Sequence, residues 1–145
     1  MEKIHKTFYY KRDSTKNISM SRNIKNLKVG DVIEFTGKLY DSKKYTNEVA
    51  TANIQYKILL ITNDGVLIQT INKYIFNTGT IYFMGNIFSD NFDINDNIVE
   101  PYNVKTSVLS FIKGTKKFCN VVGYGKYKIT GNGIGEIIVD LEIIK

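Results

Sequence analysis

An all-β fold, a single eight-stranded antiparallel up-and-down β-barrel, is what this sequence predicts, and three observations carry it. After Gly30 apolar residues alternate with polar ones almost to the end of the chain, the period-2 pattern of half-buried strands. Turn-forming residues interrupt that pattern at Asn63-Asp64-Gly65, Asn77-Thr78-Gly79, Lys113-Gly114-Thr115 and Gly131-Asn132-Gly133. A run of sequence-adjacent hairpins hides its edges most economically by closing on itself.

The strands are expected at about 6–11, 31–40, 49–62, 65–76, 79–88, 105–112, 117–129 and 133–144. The last is the cleanest: Ile137, Val139, Leu141 and Ile143 share one face, with Glu136, Asp140 and Glu142 opposite. In the third, Ala50, Ala52, Ile54, Tyr56, Ile58 and Leu60 share a face, although Leu59 and Ile61 then break the polar side. Ile81-Tyr82-Phe83-Met84 is apolar on both faces. One face of such a strand lines the barrel and the other needs external cover, so a homo-oligomer is expected. The polar run Asp13 to Asn26 reads as a loop. Ser89 to Asn103, which holds the sole proline, Pro101, reads as the only large loop after residue 30. The organisation expected is a basic N-terminal segment over 1–30, containing the first strand, and a barrel domain over 31–145.

Composition bounds the function. At 145 residues and 43% hydrophobic the chain suits one domain with a real core and is not a disordered one. No run of eighteen apolar residues occurs and residues 1–20 carry no secretory pattern, so an intracellular location, or a virion for a viral chain, is expected. One cysteine, Cys119, excludes internal disulfides and Cys-based zinc sites, and one histidine, His5, excludes a His-rich metal centre. No cofactor is called for. Twenty-one Ile against seven Leu, eighteen Lys against two Arg, and fifteen Asn against two Ala are the mark of an A/T-rich coding sequence. The net charge of +6 lies entirely in residues 1–30, the remainder being neutral. A polyanion-binding arm is therefore the third functional reading, and nucleic acid is not the favoured partner.

Gly131-Asn132-Gly133-Ile134-Gly135 lacks the following helix that a dinucleotide site needs and reads as a hairpin turn. Gly114-Thr115-Lys116-Lys117-Phe118, followed by Gly123-Tyr124-Gly125, is more specific. It resembles the GTGKF…GY signature of dirigent proteins and the related allene oxide cyclases. Leu27 to Tyr40 is similar to the segment that opens an allene oxide cyclase barrel. Gly79-Thr80-Ile81-Tyr82-Phe83-Met84-Gly85 is similar to a further strand of that family. The three blocks keep the family's order over residues 27–129. Gly114, Thr115, Phe118, Gly123 and Tyr124 are thus the fold signature.

The resemblance implies an eight-stranded barrel, usually trimeric, with an apolar cavity. There the cyclases fold a fatty-acid epoxide and dirigent proteins orient phenoxy radicals or quinone methides. It also implies that the parent site is missing. Gly37 stands where the cyclases have a water-binding asparagine, and with Lys11-Arg12-Asp13 aligned on the family's E-R-D, Phe8 replaces the catalytic acid and Tyr10 a nearby asparagine. The Ser-Pro pair that follows falls at Lys16-Asn17. No residue is assigned a catalytic role.

Tyr56, Tyr74, Tyr82, Tyr124 and Tyr127 are weighed as cavity-lining residues against ordinary strand packing. Tyr56, Asn72 and Tyr74 are the ligand-binding candidates, with Asn72 supplying a polar interior group if its face points inward and facing solvent if it does not. Cys119 is expected to be a buried, inert thiol. Asp90, Asp93 and Asp96 recur at a spacing of three but lack the Gly and Glu of a calcium loop, so no metal site is expected. The favoured function is a non-catalytic, self-associating binding or structural module holding an apolar small molecule, with a virion or assembly component as one form of it. The alternative is an isomerase or cyclase acting on an oxylipin-like or phenolic substrate in the cavity.

Overall fold

The computed structural model describes residues 2–13, 19–20, 28–89, 91–95, 98–102, 104–131 and 133–144. Its strands are β1 (Glu2–Arg12), β2 (Ser19–Met20), β3 (Val32–Tyr40), β4 (Glu48–Thr62), β5 (Gly65–Phe76), β6 (Gly79–Ser89), β7 (Asn91–Asn95), β8 (Ile98–Tyr102), β9 (Val104–Gly114), β10 (Val121–Gly131) and β11 (Ile134–Ile143). Eight of them form an antiparallel ring in the order β1-β11-β10-β9-β6-β5-β4-β3. The ring closes where Tyr9–Arg12 of β1 pair with Gly37–Tyr40 of β3. The short β2 pairs with Ile33 and Glu34 further along the same edge of β3. No described helix is long and apolar enough to cross a membrane.

The alternation read from the sequence sets which side chains enter the ring. Ile137, Val139, Leu141 and Ile143 are all buried, and so are Ala50, Ala52, Ile54, Tyr56 and Ile58. A register shift between Ile58 and Leu60 ends the β4 alternation, so Leu60, expected on the inner face, is half exposed. The apolar Leu59-Leu60-Ile61 run that blurred the pattern marks this bulge.

Three further expectations are corrected. The polar run after Ser89 is a hairpin, β7 paired with β8 from Asn91–Tyr102 to Asn95–Ile98, and not a single loop. Asp90 and Asp96 lie outside the described residues. The strand expected from residue 117 begins at Val121, because Lys116–Phe118 form a 3₁₀ turn first. That turn leaves Cys119 exposed, where a buried thiol was expected.

The signature residues build one end of the barrel. Thr115 N–H donates to the Thr80 carbonyl and Thr115 Oγ1 accepts from Thr80 N–H, tying the turn to β6. The turn drives Phe118 inward against Phe76, ring centroids 5.9 Å apart, and Phe76 in turn meets Phe8 at 5.3 Å. These three rings close that end. Gly114 is required there, since a Cβ would press on the Phe118 carbonyl and lie 2.7 Å from Phe118 Cβ.

Candidate functional site: a tyrosine cluster across the barrel

β4 and β10 stand four places apart in the eight-strand ring, on opposite walls. Tyr56 from β4 and Tyr127 from β10 project inward and their hydroxyls meet at 2.9 Å. The barrel is therefore crossed by a Tyr–Tyr bridge. On β5, Thr70, Asn72 and Tyr74 lie on the same inward row, and all are buried. Thr70 Oγ1 donates to Asn72 Oδ1 at 2.6 Å, and Asn72 Nδ2 donates to Tyr74 Oη at 2.8 Å. Tyr10 enters from β1 with its ring over Gly37, whose missing side chain is what makes the room. The chain's two alanines, Ala50 and Ala52, sit opposite Leu39 and Gly37 in the β3–β4 register, so this wall is low where the Tyr10 ring arrives.

All three ligand-binding candidates are thus inside, and Asn72 takes its interior alternative. Tyr127, weighed with them, is interior as well. Tyr82 and Tyr124 are on the outer wall, because each falls on the odd phase of its strand's alternation relative to the buried Phe83 and Tyr127. Tyr82 is flanked by ammonium groups, Lys113 Nζ at 4.7 Å and Lys73 Nζ at 5.6 Å from its ring centre. Tyr124 is 42% exposed, near Asp140. His5 Nδ1 bonds Asp140 Oδ1 at 2.6 Å, and that bond holds the carboxyl below its usual range. Tyr10 and Thr70 are the interior polar residues that sequence reasoning did not select. The β5 alternation through Ile68, Thr70, Asn72 and Tyr74 carries the signal for Thr70; nothing local carries it for Tyr10, whose position depends on the β1–β3 closure.

The chemistry of this interior is that of neutral donors. The buried polar and charged residues among those described are Asp31, Thr70, Asn72 and Ser89, besides the tyrosines. Asp31 belongs to a turn, where its Oδ2 accepts from Lys28 N–H. Burial pushes the Tyr10, Tyr56, Tyr74 and Tyr127 hydroxyls well above the ordinary phenol value. At neutral pH these groups donate hydrogen bonds and hold no charge.

Two measurements check this arrangement. A phenol whose pKa is raised by folding supports the fold fully below the unfolded value, near 10, and loses that support as pH rises beyond it. Spectrophotometric titration should therefore show the four buried tyrosines ionising only together with alkaline unfolding. Smooth ionisation of all ten tyrosines in a folded barrel would contradict it. In the bridge, Tyr127→Phe strands the Tyr56 hydroxyl and should cost about 1–3 kcal/mol, whereas Tyr56→Phe/Tyr127→Phe should cost less than the sum of the singles. Additive costs in urea unfolding would rule the bridge out.

No protein-family model matches the chain, and no curated protein matches it. Solved structures do. A pyocyanin demethylase superposes with a TM-score of 0.70 at 13% identity, over 96% of this chain and all of its own. An exo-specific intermolecular Diels-Alderase gives 0.59 at 12% identity, over 97% of this chain and 98% of its own. A nonspecific heme-binding cyclase that catalyses a cycloaddition during neoabyssomicin biosynthesis gives 0.67 at 11% identity, over 99% of this chain and 68% of its own. At these identities the likeness is one of fold alone.

Proposed function

We propose that this barrel is a self-associating module that holds a small, largely apolar molecule in its tyrosine-lined interior and does not catalyse the cyclase reaction its sequence blocks resemble. The observation that carries the reading is the interior itself, where neutral hydroxyls and one amide gather at Tyr10, Tyr56, Thr70, Asn72, Tyr74 and Tyr127. A few placed polar groups among apolar walls orient a ligand. The place of the family's water-binding asparagine is taken by Gly37 and covered by the Tyr10 ring. Self-association is supported by the outer wall, where Met84, Phe88, Val108 and Ile112 of β6 and β9 are exposed by 39–61%. Exposed apolar side chains on two paired strands are what subunit contacts cover, and a trimer is the form the resemblance favours.

Native mass spectrometry under gentle and then denaturing conditions tests both halves. An oligomer that releases a small mass on denaturation is the expected result. A ligand-free monomer would overturn the proposal.

A second reading, a cyclase or isomerase acting in the same interior, is favoured by one observation: three neighbours of this fold are named as enzymes, two of them for ring-forming chemistry. Hydrogen-bond donors aimed at developing charge suffice for such steps without an ionised acid or base. Turnover of a phenolic or polyene substrate that Tyr74→Phe or Asn72→Leu abolishes, in barrels that remain folded, would decide for it. A function through a polyanion-binding arm predicts affinity that falls steeply with salt and is lost on deleting residues 1–30.

A further inference from the structure

Two strand edges carry backbone hydrogen-bonding groups with no described strand beside them. The first belongs to β1. Arg12 N–H donates to the Gly133 carbonyl on the β11 side, and Asp13 N–H donates to the Thr36 carbonyl on the β3 side. These bonds alternate in direction along a strand, so the even-numbered residues of β1 bond β11 and the odd-numbered ones turn the other way. The β1–β3 pairing stops at Tyr9. Lys3, His5 and Thr7 therefore aim their N–H and C=O groups past the end of β3, where no described strand meets them. Lys3, His5 and Lys6 are exposed, and the loop 41–47, which leaves β3 where the pairing stops, adds exposed Lys43 and Lys44. Of the carboxylates here, Glu2 is paired with Lys117, Glu48 with Lys38 and Asp140 with His5. Asp41 and Glu142 remain against Lys3, Lys6, Lys43 and Lys44, so this edge is positive on balance.

The second edge belongs to β7, which pairs with β8 alone, while β8 is the strand that lies beside β10. The hairpin sequence from Asn91 to Tyr102 holds Asp93, Asp96 and Glu100 and no Lys or Arg. The two edges cannot meet within one barrel. The hairpin enters β9 at Val104, which pairs with Ile129 at the end where β11 begins, whereas Glu2 pairs with Ile143 at the end where β11 stops. The length of β11, roughly 30 Å of strand, separates them.

We propose that the β7 edge of one copy adds as a strand to the β1 edge of the next, joining copies head to tail. The inference rests on the reading that the barrel self-associates, and it names a contact other than the apolar wall of β6 and β9. The five residues Asn91–Asn95 match the five from Lys3 to Thr7 in length. Main-chain bonds supply the contact, and opposite charge selects which edges meet. Two β1 edges would set lysine against lysine, the usual device that keeps like edges apart. An acidic strand is the one they admit. A contact between unlike surfaces closes into a ring or runs on as a filament.

Sedimentation velocity on the full chain and two charge-reversed variants tests this. Lys3→Glu/Lys6→Glu makes both edges acidic, and Asp93→Lys/Glu100→Lys makes both basic. Each alone should self-associate at least about tenfold more weakly than the parent, since like charges now face each other. An equal mixture should recover association, in complexes that native mass spectrometry finds to contain both variants. The parent itself should dissociate as salt is raised, a readout that needs no variant and serves if either one fails to fold by its thermal melt. If both variants associate as the parent does and Val108→Asp does not, the contact is the apolar wall: the edge proposal falls and self-association stands. Weakening by the lysine reversals alone, with no recovery on mixing, would also overturn the pairing of β1 with β7. A parent that stays monomeric at every concentration would overturn both.

Discussion

Replacing Phe118 with alanine should cost about 3–5 kcal/mol, the range for deleting a buried aromatic ring without collapse of the site. Collapse is resisted here by the neighbours. Phe118 is 5% exposed and packs on Phe76, which packs on Phe8, so the three rings form one plug across the end of the ring of strands. The backbone beneath cannot close the gap, because Lys117 N–H donates to Thr78 and Thr115 N–H to Thr80, fixing the 3₁₀ turn on β6. A loss of that size is a large fraction of the about 5–15 kcal/mol that holds a typical domain together. Urea unfolding should show a lower midpoint at an unchanged slope. Phe118→Leu, which keeps most of the apolar volume, should cost much less. A Phe118→Ala variant within about 1 kcal/mol of the parent would show that the plug does not hold the barrel closed.

The barrel was legible where one face of a strand is wet. β11 alternates apolar and charged residues without a break, and every apolar residue of Ile137, Val139, Leu141 and Ile143 is buried. The Asn-Asp-Gly and Asn-Thr-Gly turns join β4 to β5 and β5 to β6 where glycine predicts them. Legibility fails where polar residues form strands. Asn91-Phe92-Asp93-Ile94-Asn95 has the period-2 alternation of a strand, but Asn and Asp disfavour sheets, so a polar run of this kind reads as a loop. In the interior, Tyr56 and Tyr74 were candidates on strand phase, and Asn72 shared the Tyr74 phase while its inward or outward direction stayed open until the sheet closed. The bridge from Tyr56 to Tyr127 did not, because the partners are 71 residues apart and meet only when opposite walls of a closed ring face each other. Tyr10 and Arg12 depend on the same closure. Their positions are set by the β1–β3 pairing, which no local signal announces.

Placing an asparagine at position 37 should destabilise the barrel by about 3 kcal/mol or more, at or beyond the upper end of ordinary overpacking. A Cβ on Gly37 would press on the Tyr10 ring, 2.9 Å from its Cζ, and would lie 2.6 Å from the Lys11 carbonyl oxygen. The ring can swing aside; the backbone carbonyl is held in the β1–β3 pairing and cannot. Gly37→Asn/Tyr10→Ala should therefore recover part of the loss and not all of it. A melting temperature for Gly37→Asn equal to that of the parent would refute this geometry. The double variant separates the two obstacles, since full recovery would place the whole conflict in the ring. The resemblance treats Gly37 and Tyr10 as two separate losses of asparagine. In the folded chain they are one feature, a glycine that admits a ring and a ring that fills the glycine's space. Neither can be changed alone without disturbing the other, and the contact with the Lys11 carbonyl remains unless β1 moves away from β3.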